Sequence, residues 1–217
     1  YEDYILFYQR AFKVEKEPKF WVNLHNEDLG VKGIVYFRSK ESMEMSVDGT
    51  MKLFSKQVFV SEKAKGIIPD FLFLQDGIID CREIPLMASR SALQEDENVG
   101  HIAKYITEQI AYKIYGTFEC EREFYEEIWE DLNPLIKFRC LKDKVFSSYV
   151  EKLIIFKNLA GKYVTLGEHI EQIKEKHENK IYYISDEVQQ SSYIRMFLKA
   201  GVDALYMTHV VDQPYVQ

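Results

Sequence analysis

The chain has 217 residues, a formal net charge of −7 and a hydrophobic content of 47%. The acidic balance argues against a nucleic-acid partner, which would require a basic face. No apolar run approaches the roughly 18 residues that span a bilayer, so no membrane segment is predicted. Because no signal peptide is recognisable, we expect an intracellular, cytoplasmic protein.

Cysteine and histidine spacing gives no indication of a metal site. The three cysteines lie far apart without a C-x-x-C pair, so neither a disulfide framework nor a zinc site is predicted. The five histidines form no H-E-x-x-H pattern. Tyr1 is not a start methionine and lies inside an amphipathic run, so we expect a segment of a longer protein.

The first half of the chain predicts one helix followed by a region rich in strands. The helix covers about residues 2–13, and the first two strands form a hairpin across Leu29-Gly30. The polar stretch 38–50 is predicted to be a loop, and 66–69 a short helical turn. Apolar runs predict strands at 20–24, 31–37, 51–54, 58–60 and 71–79.

A junction around Arg90 joins the last of these strands to a long amphipathic pattern. Pro85 lacks an N–H group, so a central strand should end before it. Ser91 and Gln94 have the spacing of a capping box, which predicts that a helix begins here. Arg90 therefore lies one residue before a helix, on a short connection anchored at both ends.

Position alone leaves two interpretations of Arg90. The arginine could pair on the surface with the acidic residues at 95–97, which contributes about 0 to 1 kcal/mol. Alternatively, it could bind an anion outside its own domain, because a guanidinium donates two parallel hydrogen bonds to a phosphate and keeps its charge. Composition does not decide between them.

The second half predicts helices first and then an alternation of helices and strands. The helix after Ser91 is expected to end at Gly116, and a second, from about residue 121, is expected to bend or end at Pro134. A hinge between subdomains is expected at 159–164, and strand, helix, strand at 181–207 predicts a parallel pair. Further helices are predicted at 146–156, 165–177 and 191–199.

The string I-P-L-M-A-S-R-S-A-L-Q at 84–94 is similar to the L-P-L-N-x-S-R-E-x-L-Q signature of the heat shock protein 90 chaperone family, of the bacterial HtpG type. Many shorter matches fall in the same order along the chain, which is more specific than one motif. They are E-P-x-F-W-V at 17–22, K-G-I-V-Y-F at 32–37, M-K-L-F-S-K-Q-V-F-V at 51–60, and the runs at 66–80, 124–129 and 179–185.

This resemblance implies an α/β fold with a particular domain organisation. Residues 1–116 are expected to form a mixed-sheet α-β-α subdomain of the ribosomal protein S5 domain 2-like type, with the arginine loop at 85–94. Residues 117–160 are expected to form a helical connector, and 161–217 a smaller α-β-α subdomain. The ATP-binding and dimerisation domains of the family would lie outside this segment.

The resemblance also implies a role in stress response and protein folding. In the family, the middle segment supplies an arginine to the γ-phosphate of ATP held, with Mg²⁺, by the N-terminal domain, and it binds unfolded or partly folded clients. The matching residues are Arg90 and, supporting the nucleotide from the same loop, Gln94. Ser89 and Lys56 would support the loop, and the protein would dimerise through its C-terminal domain. Client contact would involve Asp212, Gln213 and Tyr215.

Several positions depart from the family pattern. Met87 replaces the asparagine before the Ser-Arg pair, and Ser91 replaces an acidic residue. Two family arginines correspond to Lys56 and Gln57, and a lysine does not make the bidentate contact of an arginine. In a D-E-W pattern linked to clients, the last two positions are Gln213 and Pro214.

Two alternatives to this interpretation remain open. The chain could be a free-standing α/β phosphotransferase that uses Arg90, or a pure protein-interaction module in which Arg90 is structural. The sequence contains no G-x-x-x-x-G-K-[ST] loop, no G-x-S-x-G and no DFG-type metal ligand. We therefore expect this segment to bind no nucleotide and to turn over no substrate by itself.

Overall fold

The structure is a computed structural model that describes residues 1–39, 49–62, 67–82, 84, 97–173 and 180–216. The chain divides into two compact units, Tyr1–Ile114 and Tyr115–Gln217. The separation of a helical connector from a smaller α-β-α subdomain within the second unit stays a prediction.

The first unit is built on a five-stranded mixed sheet. Its strand order is β1-β2-β5-β3-β4, and all neighbours are antiparallel except β3 and β5, which are parallel. The predicted α/β fold and the hairpin of the first two strands are confirmed. The elements are α1 (Glu2–Phe12), β1 (Phe20–Asn26), β2 (Val31–Phe37), β3 (Met51–Ser55), β4 (Val58–Ser61), β5 (Asp76–Cys81) and α2 (Glu97–Cys120), which continues into the second unit.

Helix α1 lies on one face of this sheet. The Tyr8 hydroxyl donates to Asp76 of β5 at 2.8 Å, and the Tyr36 hydroxyl of β2 donates to the carbonyl of Tyr4 at 3.1 Å. The residues of the opposite face, such as Val35, Leu53 and Ile79, are fully buried. Along each strand, residues that face α1 alternate with residues that face the opposite side. Because residues on both sides are buried, the sheet is covered on both faces.

Two expectations for the elements up to the end of α2 were wrong. Residues 71–74 do not continue the strand, because Asp70–Leu74 forms a 3-10 helix closed by Leu72 N–H to Pro69 O at 2.9 Å and Gln75 N–H to Leu72 O at 2.8 Å. The fixed φ of Pro69 favours such a turn. Helix α2 also passes through Gly116 to Cys120, since a helical glycine costs only about 1 kcal/mol.

The second unit combines helices with short strands. A hairpin of β6 and β7 turns at Gly161, whose φ is +76°, so the residues predicted as a hinge form a tight turn. The predicted parallel pair is present as β8 and β9, with a helix between them. The elements are α3 (Arg122–Lys142), α4 (Lys144–Val150), β6 (Ile155–Lys157), β7 (Tyr163–Thr165), α5 (Leu166–Ile173), β8 (Tyr183–Ile184), α6 (Ser191–Ala200), β9 (Leu205–Tyr206) and α7 (Asp212–Val216).

Two helix boundaries in this unit also differ from expectation. Helix α3 continues through Pro134 to Lys142, with Leu132, Leu135 and Ile136 all buried. Their burial offsets the roughly 3 kcal/mol that a proline costs inside a helix. The single helix predicted at 146–156 is instead α4, begun by the Asp143 carboxylate accepting from the Val145 and Phe146 amides, followed by a 3-10 turn and β6.

Candidate functional site

The β3–β4 turn consists of Lys56 and Gln57, both in the left-handed conformation. Their φ values are +50° and +66°, and Ser55 pairs with Val58 across the two-residue connection. Positive φ at both central residues matches the right-handed twist of a hairpin, but it is costly for residues other than glycine and asparagine. The turn therefore holds the exposed Lys56 side chain on a strained, well-defined backbone.

A hydrogen bond places Ile84, the residue before the arginine loop at 85–94, beside this turn. The Ser55 hydroxyl donates to the carbonyl of Ile84 at 3.0 Å, and both residues are buried. On the other side, the Gln57 amide donates to an Asp80 carboxylate oxygen of β5 at 3.0 Å. The strained turn and the residue that precedes Pro85 are thereby anchored to the same part of the sheet.

Arg90, Gln94 and Ser89 lie outside the described residues. The same holds for the predicted capping box of Ser91 and Gln94, and for the departure at Met87. The described positions on either side are Ile84, bonded to Ser55, and the helix α2. Of the four residues predicted for the nucleotide loop, the structure therefore places Lys56.

A buried polar network at the start of β5 was missed by the sequence analysis. The two Asp76 oxygens accept from the Tyr8 hydroxyl at 2.8 Å and from the Thr50 amide at 2.7 Å, and Arg38 Nε lies 3.6 Å away. Burial, and secondarily Asp76, raises the pKa of Tyr8. Tyr8 and Asp76 are 68 positions apart in the chain, so no local pattern could have indicated their contact.

In the second unit, Asp212 forms a buried ion pair with Lys137 of α3. Lys137 Nζ lies 2.5 Å from Asp212, and the two side chains are 1% and 3% exposed. The other carboxylate oxygen accepts from the His209 amide at 2.8 Å. Burial lowers the pKa of Lys137, whereas the bond to Asp212 opposes that effect. Asp212 therefore fastens α7 to α3.

The other residues predicted for client contact follow Asp212 on α7. Gln213 is exposed, as is Pro214, whereas Tyr215 is half-buried. Burial raises the pKa of Tyr215 to about 12. The structure thus brings the three predicted residues onto one short helix, with the carboxylate of Asp212 turned inward and Gln213 available to solvent.

The described residues contain no group of three or more His, Cys, Asp or Glu side chains arranged for a metal ion. Within the same residues, no helix is both long and apolar enough to cross a membrane.

The fold is similar to a solved structure of a middle domain. That structure, of a heat shock protein from Plasmodium falciparum, superimposes with a TM-score of 0.74 over 99% of this chain and 87% of its own, at 22% identity. Since this identity is low, the similarity concerns the fold: a mixed α/β architecture of the middle-domain type.

Sequence comparison identifies the family. Residues 1–217 match the family model described as Hsp90 protein. The chain is 34% identical to the chaperone protein HtpG of Bacteroides thetaiotaomicron and 30% identical to that of Porphyromonas gingivalis, in each case over 97% of this chain. It spans 32% of the length of these relatives. The chain belongs to the Hsp90 family of chaperones and has the fold of its middle domain.

Proposed function

We propose that this chain is the middle segment of an ATP-dependent chaperone. It binds unfolded or partly folded client proteins and supplies Arg90 to the γ-phosphate of ATP held by an N-terminal domain of a longer, cytoplasmic protein. That protein would dimerise through a C-terminal domain. The observation that carries the proposal is the match to the Hsp90 family model over residues 1–217.

The chemistry assigned to Arg90 suits phosphoryl transfer. Cleavage of the γ-phosphate spreads negative charge over its oxygens, so catalysis depends on positioned positive charge more than on covalent help. Arginines supplied from outside a nucleotide site accelerate hydrolysis by about 10³ to 10⁵ in other systems. Mg²⁺ bound with the nucleotide would neutralise charge on the phosphates.

The hydrogen bond between Ser55 and Ile84, just before the loop, supports the proposed role of Arg90. The Ser55–Ile84 hydrogen bond fixes the residue that precedes Pro85 next to the β3–β4 turn. Lys56 follows Ser55 on that turn and is exposed, in agreement with a supporting role. Gln94 and Ser89 would orient the arginine and the nucleotide from within the same loop.

Client contact is assigned to the helix α7. Gln213 and Tyr215 would meet the client, while Asp212 would hold the helix in place through Lys137. Exposed apolar residues occur elsewhere in this unit as well, such as Met196 on α6 at 54% exposure. A chaperone needs such surface, since its clients expose apolar side chains of their own.

The client part is tested with this chain alone. Suppression of the aggregation of a chemically denatured model protein should be measured by light scattering for the chain, for Tyr215→Ala and for Tyr112→Ala. Tyr112 is 59% exposed and lies in the first unit, so it serves as the control. We expect suppression that weakens in Tyr215→Ala and persists in Tyr112→Ala. An equal effect of the two changes would contradict the assignment to α7.

A second experiment tests whether the chain binds ATP without the rest of the longer protein. Calorimetric titration of the chain with Mg-ATP should give no saturable binding. Binding by these 217 residues would instead favour the free-standing phosphotransferase.

A further inference from the structure

Helix α6 in the second unit presents large apolar side chains to solvent. None of its ten residues, Ser191–Ala200, is buried, and Tyr193, Met196 and Leu198 are 58%, 54% and 57% exposed. Apolar side chains grouped on the surface of a protein mark a place where a partner binds. The function proposed above assigns client contact to α7 and leaves open what α6 recognises.

The backbone of α6 is fixed at both ends. Before the helix, the side-chain oxygen of Gln190 accepts from the Ser185 amide at 2.7 Å. After it, Gly201 has a φ of +66°, and the Val202 amide donates to the carbonyl of Phe197 at 2.9 Å, which is the closure of a Schellman motif. The exposed side chains are therefore presented in a fixed arrangement, which lowers the cost of binding a partner.

Helical spacing places the apolar residues of α6 beside one another. Ile194 and Phe197 are half-buried, and the ring centroid of Phe197 lies 5.2 Å from that of Tyr182, so this side of the helix faces its own unit. Tyr193 and Met196 are three positions apart, and Phe197 follows Tyr193 by four, so these three side chains share one flank of the helix. A thioether beside aromatic rings adapts to partners of different shape.

Two cations border this apolar flank. Arg195 and Lys199 are exposed, stand one helical turn apart, and make no ion pair with a described residue. Lys199 also follows Met196 by three positions, which places it next to the flank. Helix α6 contains no Asp or Glu, although the chain as a whole has a net charge of −7. Since its charge is opposite in sign to that of the molecule, α6 is complementary to a partner that carries carboxylates.

We propose that this surface of α6, formed by Tyr193, Met196, Phe197, Arg195 and Lys199, binds client segments in which carboxylates flank apolar side chains. The apolar side chains pack on Tyr193 and Met196, and the carboxylates pair with Arg195 and Lys199. Apart from the half-buried Phe197, all of these residues are exposed, so a client reaches them directly. The inference rests on the proposed client binding and names the class of segment that α6 selects.

Charge separates this partner from two other occupants of an apolar flank. A second copy paired through α6 would bring two sets of Arg195 and Lys199 together, and like charges across an interface cost free energy. An anionic membrane would attract these cations but would repel the net charge of −7 and Glu187, which is exposed just before α6. A short acidic segment meets Arg195 and Lys199 alone.

The test uses this chain and three short capped peptides: Gly-Glu-Leu-Phe-Glu-Gly, the same peptide with Gln in place of Glu, and the same peptide with Lys in place of Glu. The glutamine peptide is the matched control, because it keeps the shape and loses the charge. Binding is measured by calorimetry and by the NMR shift of the Met196 methyl group. We expect saturable binding of the glutamate peptide, about fivefold or more tighter than the glutamine peptide, with the lysine peptide weakest.

Variants then locate the surface. Met196→Ser and Lys199→Glu should each weaken binding of the glutamate peptide about fivefold or more. Leu141→Ser and Lys152→Glu make similar changes at exposed positions outside α6 and should leave binding unchanged. Arg195→Glu combined with Lys199→Glu should reverse the preference, so that the lysine peptide binds better than the glutamate peptide. Because all of these side chains are exposed, the variants should fold, which thermal unfolding verifies.

Three results would overturn the inference: no saturable binding at millimolar peptide, equal affinity for the glutamate and glutamine peptides, or equal effects of Lys199→Glu and Lys152→Glu. In place of peptide binding, self-association that Met196→Ser abolishes would assign the surface to a second copy. Sedimentation with vesicles of phosphatidylserine and phosphatidylcholine, lost in Lys199→Glu, would assign it to a membrane. If aggregation suppression persists alongside any of these, the α6 assignment fails and the client proposal stands. Loss of suppression in the unchanged chain would contradict the client proposal itself.

Discussion

Lys137 and Asp212 place two charges in the interior of the second unit, 75 positions apart in the chain. Removing one partner of a buried pair leaves the other charge without compensation, which costs about 3 to 5 kcal/mol. We therefore expect Lys137→Met to lower the free energy of unfolding by about this amount, measured by urea denaturation of the chain.

The exposed pair of Lys157 and Glu130 is the matched control. Its side chains are 44% and 61% exposed, so Lys157→Met should change the free energy of unfolding by no more than about 1 kcal/mol. The double change Lys137→Met with Asp212→Leu should recover much of the loss, because an apolar pair of similar volume replaces the ion pair. Equal effects of the two lysine changes would show that the buried pair does not stabilise the fold.

The sequence could indicate Asp212 but not its environment. The D-E-W-like pattern selected Asp212 as a candidate for client contact, and no local pattern connects it with a lysine on α3. Lys137 stands next to the buried Ile136 in a helix with apolar residues on one side, where a lysine is normally assigned to the solvent-exposed face. Only the tertiary structure reveals that the two charges compensate each other.

At the scale of elements, the β3–β4 hairpin has a strained backbone at two residues, Lys56 and Gln57. Gln57 has a φ of +66°, a conformation that glycine adopts without steric cost, and its side chain is exposed. We expect Gln57→Gly to raise the free energy of unfolding by about 1 kcal/mol, because it removes the strain and keeps the amide that bonds to Asp80. Thermal unfolding of the chain measures the effect.

Gln57→Ala is the control for this prediction, since it removes the same side chain and keeps a Cβ at positive φ. It should leave stability unchanged or lower it. A gain of the same size in both variants would indicate that the loss of the glutamine side chain, and not relief of backbone strain, is responsible.

Regular periodicity explains which elements the sequence predicts. The apolar runs of β1 and β2 and the apolar stripe of α2 appear where they were expected. The errors occur where a tertiary effect overrides a local signal: buried neighbours keep α3 helical through Pro134, and the apolar residues 71–74 form a 3-10 turn after Pro69. Neither effect can be predicted from the local residue propensities.

For the molecule as a whole, buried phenols and thiols predict a loss of stability at alkaline pH. Burial raises the pKa of Cys81 to about 12, of Cys140 to about 11, and of Tyr36 and Tyr163 to about 12. In the unfolded chain these groups ionise at about 9 for cysteine and 10 for tyrosine. Above pH 9 the unfolded state therefore binds fewer protons than the folded state, so the stability contributed by these groups decreases as pH rises towards 12.

Denaturant unfolding between pH 7 and 11 measures this dependence. The free energy of unfolding should be nearly constant up to about pH 8.5 and should then decrease. Cys140→Ala removes one ionising group and should make the decrease shallower, after correction for its own effect at pH 7. A free energy of unfolding that stays constant or increases above pH 9 would contradict the prediction.

The arginine loop remains the part of the candidate site that rests on the family pattern. The signature at 84–94 selected Arg90, and the structure contributes the anchor of Ser55 to Ile84 and the position of Lys56. A strained turn beside the entry to this loop is a feature that sequence spacing does not reveal, since neither Lys56 nor Gln57 is a usual residue for positive φ.

The most direct measurement is ATP turnover by the longer protein carrying Arg90→Ala, with nucleotide affinity and thermal unfolding recorded for the same samples. Arg10→Ala, an exposed arginine on α1, is the control. The proposal predicts that turnover falls by a factor of about ten or more in Arg90→Ala alone, while affinity and unfolding stay unchanged, because the arginine acts on the transition state. Unchanged turnover in Arg90→Ala would contradict it and leave this chain as a protein-interaction module with a structural arginine.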